Sequence, residues 1–103
     1  MIVILAIANG YVIRHYPRHC APGFVYSFRR GFIPEEIMQR IAFLNGHART
    51  VFLLNDQQEQ DTDCIFRKMV HEKDSGYVFS EELQRTYLIE LFHLIMKVHQ
   101  RAS

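Results

Sequence analysis

The sequence predicts an α+β fold: a short antiparallel β segment first, then three helices, the last of them long. Three observations carry this. β-Branched and alternating apolar stretches are confined to the first thirty residues, and from Pro34 onward apolar residues recur at helical spacing. The closing stretch SEELQRTYLIELFHLIMKVHQRAS is apolar around about two-thirds of a helix circumference. Strands followed by helices, rather than alternating with them, mark a segregated α+β chain. One domain or a fragment of one is predicted, with a β segment over 1–30 and a helical region over 31–103.

Ile2–Ala8 is a continuous apolar run rich in β-branched residues, the pattern of a strand buried on both faces. Ala8-Asn9-Gly10 is a turn signal, after which Tyr11–Tyr16 resumes strand character. Pro17, Pro22 and Gly23 punctuate a loop. Phe24–Phe28 then alternates, with Phe24, Tyr26 and Phe28 on one side and Val25 and Ser27 on the other. Pro34-Glu35-Glu36 is a helix first turn; Ile37, Ile41 and Leu44 follow at helical spacing, and Gly46 is placed to end that helix. Thr50–Leu54 fits either a short strand or an apolar loop on the core. Asn55 or Asp56 caps the second helix, whose first turns are polar and whose apolar stripe is Ile65, Phe66, Met69 and Val70. That helix breaks around Gly76. The last helix runs from about Ser80, read as a hydroxyl N-cap, to Arg101. Three short strands make a poor sheet, so residues 2–28 are expected to form an incomplete one, with an edge or apolar face covered by a second subunit.

With 49% apolar and 22% charged residues the chain reads as soluble and globular, and a net charge of +1 argues against a strongly polyanionic partner. Residues 1–33 nevertheless hold Arg14, Arg18, Arg29 and Arg30 and no acid, whereas 34–103 hold eight basic and eleven acidic side chains. That asymmetry admits an RNA- or DNA-binding module using these arginines and the aromatics of 24–28, although a solvated basic face accounts for it more simply. Two cysteines, Cys20 and Cys64, do not make a disulfide framework; read as reduced, they point to the cytoplasm. The opening MIVILAIA is too short to span a membrane and has no basic flank, so no membrane partner is expected.

No pattern of catalytic chemistry emerges. His15, His19 and Cys20 are ligand types that suit zinc or copper, but their spacing matches no zinc motif and a fourth ligand has no evident source. His71-Glu72 lacks the second histidine of an H-E-x-x-H helix. His19 and Cys20, as sequence neighbours in extended chain, point apart. The pairs Glu35-Glu36 and Glu81-Glu82 sit in helix first turns, where the dipole explains them. No catalytic residue, metal or cofactor is therefore expected, and the chain is read as not an enzyme.

What stands out is the last helix. Leu83, Tyr87, Leu91, Leu94 and Val98 repeat with the spacing of a coiled-coil seam, and Leu88, Ile89, Phe92, Ile95 and Met96 form a second face beside it. Three helices can hardly surround one of this length, so a homodimer interface of Tyr87, Leu88, Leu91, Leu94, Ile95 and Val98 is predicted.

LAIANGYVI, GFVYSFRRGFIPEEI (Gly23 to Ile37) and CIFRKMVHEKDSGYVFSEELQRTYLIELFHLIMKVHQR together resemble the second half of the sensor domain of AraC-type bacterial transcription regulators. Asn9 stands where that family favours proline, and Ile13 where it often has histidine. The resemblance implies part of a cupin-like barrel followed by helices, the last of which dimerises. It also implies a small-molecule effector in the full-length protein, and DNA contacts made only by a separate domain outside these residues. The alternative is a small stand-alone dimeric module that binds a ligand or another protein.

Overall fold

The computed structural model describes residues 1–17, 22–40 and 49–102. The described elements are β1 (Ile2–Ile7), β2 (Gly10–His15), β3 (Phe24–Arg29), α1 (Glu35–Arg40), β4 (Arg49–Phe52), α2 (Asp56–Lys73) and α3 (Ser80–Ala102). The continuation of α1 through Ile41 and Leu44 to Gly46 lies outside the described residues, as do Arg18, His19 and Cys20.

The four strands form one antiparallel sheet in the order β3-β2-β1-β4. Two expectations change here. Thr50–Phe52 is strand, and it supplies the second neighbour that β1 needs, so the buried strand is completed within the chain. The sheet is also open: β3 and β4 are its edges, and it does not close into a barrel. Gly10 is required where β2 begins opposite Arg29, since a Cβ there would lie 2.1 Å from the Phe28 carbonyl oxygen.

Strand alternation sorts the sheet into two layers. Ile2, Ile4, Tyr11, Ile13, His15, Phe24, Tyr26, Phe28 and Phe52 share one face by register. That face meets the helices: Ile2, Ile4, Ile13, Tyr26, Phe28 and Phe52 are in a single buried cluster with Phe32, Ile33, Leu54, Ile65, Phe66, Met69, Leu88, Leu91, Phe92, Ile95 and Val98. Only apolar residues of this parity join the cluster, so the helices lie on one side of the sheet.

Asn55 is the cap of α2. Its side chain accepts from the Gln58 backbone N–H, and the Asn55 N–H donates to the Gln58 side chain, each at 2.8 Å, a reciprocal capping box. The buried stripe of α2 is Thr62, Ile65, Phe66, Met69 and Glu72, whereas Val70 is exposed. The α2–α3 connection is fastened by serines. The Ser75 hydroxyl donates to the Glu72 carboxylate at 2.7 Å, and the Ser80 hydroxyl donates to the Glu72 carbonyl at 2.6 Å. Ser80 therefore ties α3 back to α2 and does not cap its own helix. Side chains then fix α3 to the β3 edge: Tyr26 donates to Gln84 at 2.9 Å, Arg29 pairs with Glu81 at 3.0 Å, and Arg85 donates to the Phe32 carbonyl at 2.6 Å.

Candidate binding surface

The six α3 residues expected at a dimer seam are mostly consumed by the chain's own core. Leu88, Leu91 and Ile95 are fully buried and Val98 nearly so, while Tyr87 and Leu94 are half-buried. The reason is geometric. One side of α3 packs toward the sheet and an adjoining side packs on α2, so a two-thirds apolar circumference is met by two neighbours at an angle. The sheet, and not a further helix or a second subunit, is the layer that covers the remaining apolar side of α3.

The nucleic-acid alternative fares poorly on its aromatics. Tyr26 and Phe28 are buried and Phe24 is half-buried, all on the helix-facing layer, so none is presented for stacking on a base. Arg14, Arg29 and Arg30 are exposed. Arg29 is already paired with Glu81, and the Arg30 guanidinium lies 5.5 Å over the Tyr11 ring.

His15 is 2% exposed, lying flat against Phe66 with ring centroids 5.9 Å apart. Neither of its ring nitrogens has a hydrogen-bond partner, and the buried Thr62 hydroxyl on the same stretch of α2 lacks one too. Burial, and secondarily the Met1 amino group, hold the imidazole below its ordinary range, against the pull of the Glu59 and Asp63 carboxylates. Beside His15 is an open cleft of about 360 Å³ lined by Pro17, Asp56, Glu59, Asp63 and Arg67. Asp63 is bonded to Arg67 at 2.8 Å, and Glu59 lies 3.3 Å from the Met1 amino group. Glu59 and Asp63 are thus each held by a cation of the chain. Among the described residues no group of three or more His, Cys, Asp or Glu side chains is arranged to hold a metal. Cys64 is exposed on α2.

The surface that the sequence reading did not identify by residue is the outer face of the sheet. By register, Val3, Leu5 and Ile7 of β1, Val12 and Arg14 of β2, Val25 and Ser27 of β3 and Val51 of β4 share it. None of them belongs to the core cluster. Ile7, Val25 and Val51 are 47%, 55% and 42% exposed, and Leu5 and Val12 are half-buried. Antiparallel sheets that keep one face in water normally carry polar side chains there. Here Leu5, Val12, Val25 and Val51 are apolar and at least partly exposed, while Val3 between them is buried at 3% exposure; the four make an apolar surface of the kind that marks interaction sites. Arg14 sits within it, flanked across the strands by Val3 and Val25, and its guanidinium reaches the Tyr16 hydroxyl at 3.4 Å. The alternation Phe24/Tyr26/Phe28 against Val25/Ser27 was visible in the sequence. Which side the helices would cover was not.

No described helix is long and apolar enough to cross a membrane. Comparisons with protein-family models, with curated proteins and with solved structures find no match for the chain.

Proposed function

We propose that this chain works by association and not by catalysis, as a cytoplasmic protein-binding module whose working surface is the outer face of the sheet. The observation that carries the reading is the set of exposed or half-buried apolar side chains Leu5, Val12, Val25 and Val51 on one sheet face, which no described helix covers. Leaving such area in water forgoes about 25 cal/mol for each Å² that a partner would cover. The resemblance to AraC-type sensor domains supplies a setting, that of a regulator whose DNA contacts are made by a separate domain and whose effector binds in the full-length protein. In that setting, self-association would rest on the half-buried Tyr87 and Leu94 of α3.

A photoreactive benzoylphenylalanine at position 25 tests the reading in the native host. A polypeptide adduct is expected from position 25 and not from the exposed, helix-borne position 57, and it should disappear when Val51→Asp is added. Equal labelling from both positions, or no adduct at 25, would remove the sheet face from consideration.

A further inference from the structure

Four rings of this chain are covered by its own cations. Arg30 lies over Tyr11, Lys73 over Tyr26 and Lys68 over Tyr87, at 5.5, 4.6 and 5.6 Å from the ring centroids, and Phe32 meets both Arg29 and Arg85. The two most exposed rings among the described residues are not covered. Tyr77 and Phe79, on the turn between α2 and α3, are 51% and 56% exposed, and no described cation lies over either. Their centroids are 5.8 Å apart and their planes meet at 77°. The corner between them therefore offers the face of one ring and the flank of the other. With Glu82, Leu83 and Thr86 they line a shallow groove of about 360 Å³.

The corner is held from behind. The Tyr77 N–H donates to the Ser75 hydroxyl at 3.2 Å; the Ser80 N–H donates to the Tyr77 carbonyl and the Leu83 N–H to the Phe79 carbonyl, each at 3.0 Å. The backbone under both rings is thus fixed before anything binds, which lowers the ordering cost of binding. Glu82 is exposed and has no ion pair among the described residues, whereas Arg29 and Arg85 both approach its neighbour Glu81. The cations nearest in sequence, Lys73 and Arg85, are already committed to Tyr26 and Phe32. Glu81 and Glu82 also offset the positive end of α3, which would otherwise disfavour a cation there.

An aromatic corner with one unpaired carboxylate suits a cation that is flat, weakly hydrated and able to donate N–H bonds from its edge. A guanidinium meets all three conditions. An ammonium is compact and strongly hydrated, and a quaternary ammonium has no N–H for Glu82. We infer that the corner of Tyr77, Phe79 and Glu82 receives an arginine side chain of a partner protein, its guanidinium plane against the rings and its edge on the Glu82 carboxylate. Val78, 82% exposed between the two rings in sequence, favours an arginine carried on a polypeptide over free arginine, because neighbouring residues of a polypeptide would cover it. The site is separate from the outer sheet face and does not depend on it.

The acetylated and amidated tripeptides VRV and VKV, and the same tripeptide with citrulline at its centre, are titrated at constant ionic strength into the full chain. Binding is followed by ¹⁵N and aromatic ¹³C correlation spectra. Citrulline keeps the shape of arginine and removes its charge. VRV should shift the Tyr77 and Phe79 ring signals and the amides of 77–86, roughly tenfold more tightly than the citrulline peptide, with VKV between them. Acetylargininamide should bind the same signals more weakly than VRV. Glu82→Gln should remove most of the preference for VRV over citrulline, and Tyr77→Leu should weaken VRV; both side chains are exposed, so both variants should keep the wild-type spectrum elsewhere. Equal binding of VRV and the citrulline peptide, or VKV or choline binding as tightly as VRV, would overturn the guanidinium. Acetylargininamide matching VRV would overturn the polypeptide source. No shift with any peptide, shifts confined to other elements, an unchanged preference in Glu82→Gln, or self-association that moves the same signals would overturn the site as assigned.

Discussion

Replacing His15 with Phe should stabilise the protein and remove a component of its acid sensitivity. The imidazole is buried with both nitrogens unpartnered, and each unsatisfied buried polar atom costs about 1–3 kcal/mol. A phenyl ring keeps the flat contact with Phe66 at 5.9 Å, and the adjoining cleft gives its extra carbon room, so the usual overpacking penalty of about 1–3 kcal/mol should be only partly felt. A net gain of about 1–2 kcal/mol at pH 7 follows, which is about 4–15 °C in Tm for a domain this size. The pH dependence has a definite sign. The folded-state pKa lies below the ordinary 6.5, so the unfolded chain binds the proton more readily. The contribution of the neutral imidazole is complete above that value. It declines as the pH falls through 6.5, by at most about 1.4 kcal/mol per pH unit, until the folded-state pKa is reached. Urea titrations at half-unit steps from pH 5 to 8 measure this directly. A His15→Phe protein with the wild-type slope between pH 6.5 and 5.5, or an NMR titration placing His15 at or above 6.5, would refute the argument.

Three further outcomes follow from the packing. Leu91→Ala, at a fully buried position, should cost about 2–5 kcal/mol, whereas Leu94→Ala should cost clearly less because that side chain is only half-buried; denaturant midpoints compare them. Asn55→Ala removes the capping box of α2 and should cost about 1 kcal/mol, seen as a lower midpoint with an unchanged m-value. Gly10→Ala would place its Cβ 2.1 Å from a backbone oxygen, so soluble yield should fall and the β2–β3 amides should lose protection from hydrogen exchange.

Much of the architecture could be read in the residues because each local signal had one structural meaning. Asn9-Gly10 between two β-branched runs gave the β1–β2 turn, Asn55-Asp56 gave the start of α2 without deciding which of the two is the cap, and Gly76, at φ 73°, gave its end. Thr50–Leu54 could not be decided locally. A five-residue stretch of this kind is strand only if a partner is available, and its partner is β1, more than forty residues earlier. The candidate site was less legible. Leu88, Leu91 and Ile95 are as apolar at a dimer seam as in a monomer core, and the difference lies in where the sheet sits. His15 looked like a possible ligand beside His19 and Cys20. Its burial depends on Phe66, fifty-one positions away, and no spacing rule connects the two.

The strand order also sets a schedule for synthesis. β1, β2 and β3 are consecutive neighbours and can zip together as soon as they emerge, but the other edge of β1 has to wait for β4. About twenty-three residues separate Arg29 from Phe52, roughly 1–5 s at ribosomal speed. For that interval the most apolar strand of the chain presents an unsatisfied hydrogen-bonding edge, with α2 and α3 still to come. A nascent chain stalled between Arg29 and Phe52 would therefore be the form most prone to pair with the wrong strand, and the four residues of β4 are the piece that ends the exposure.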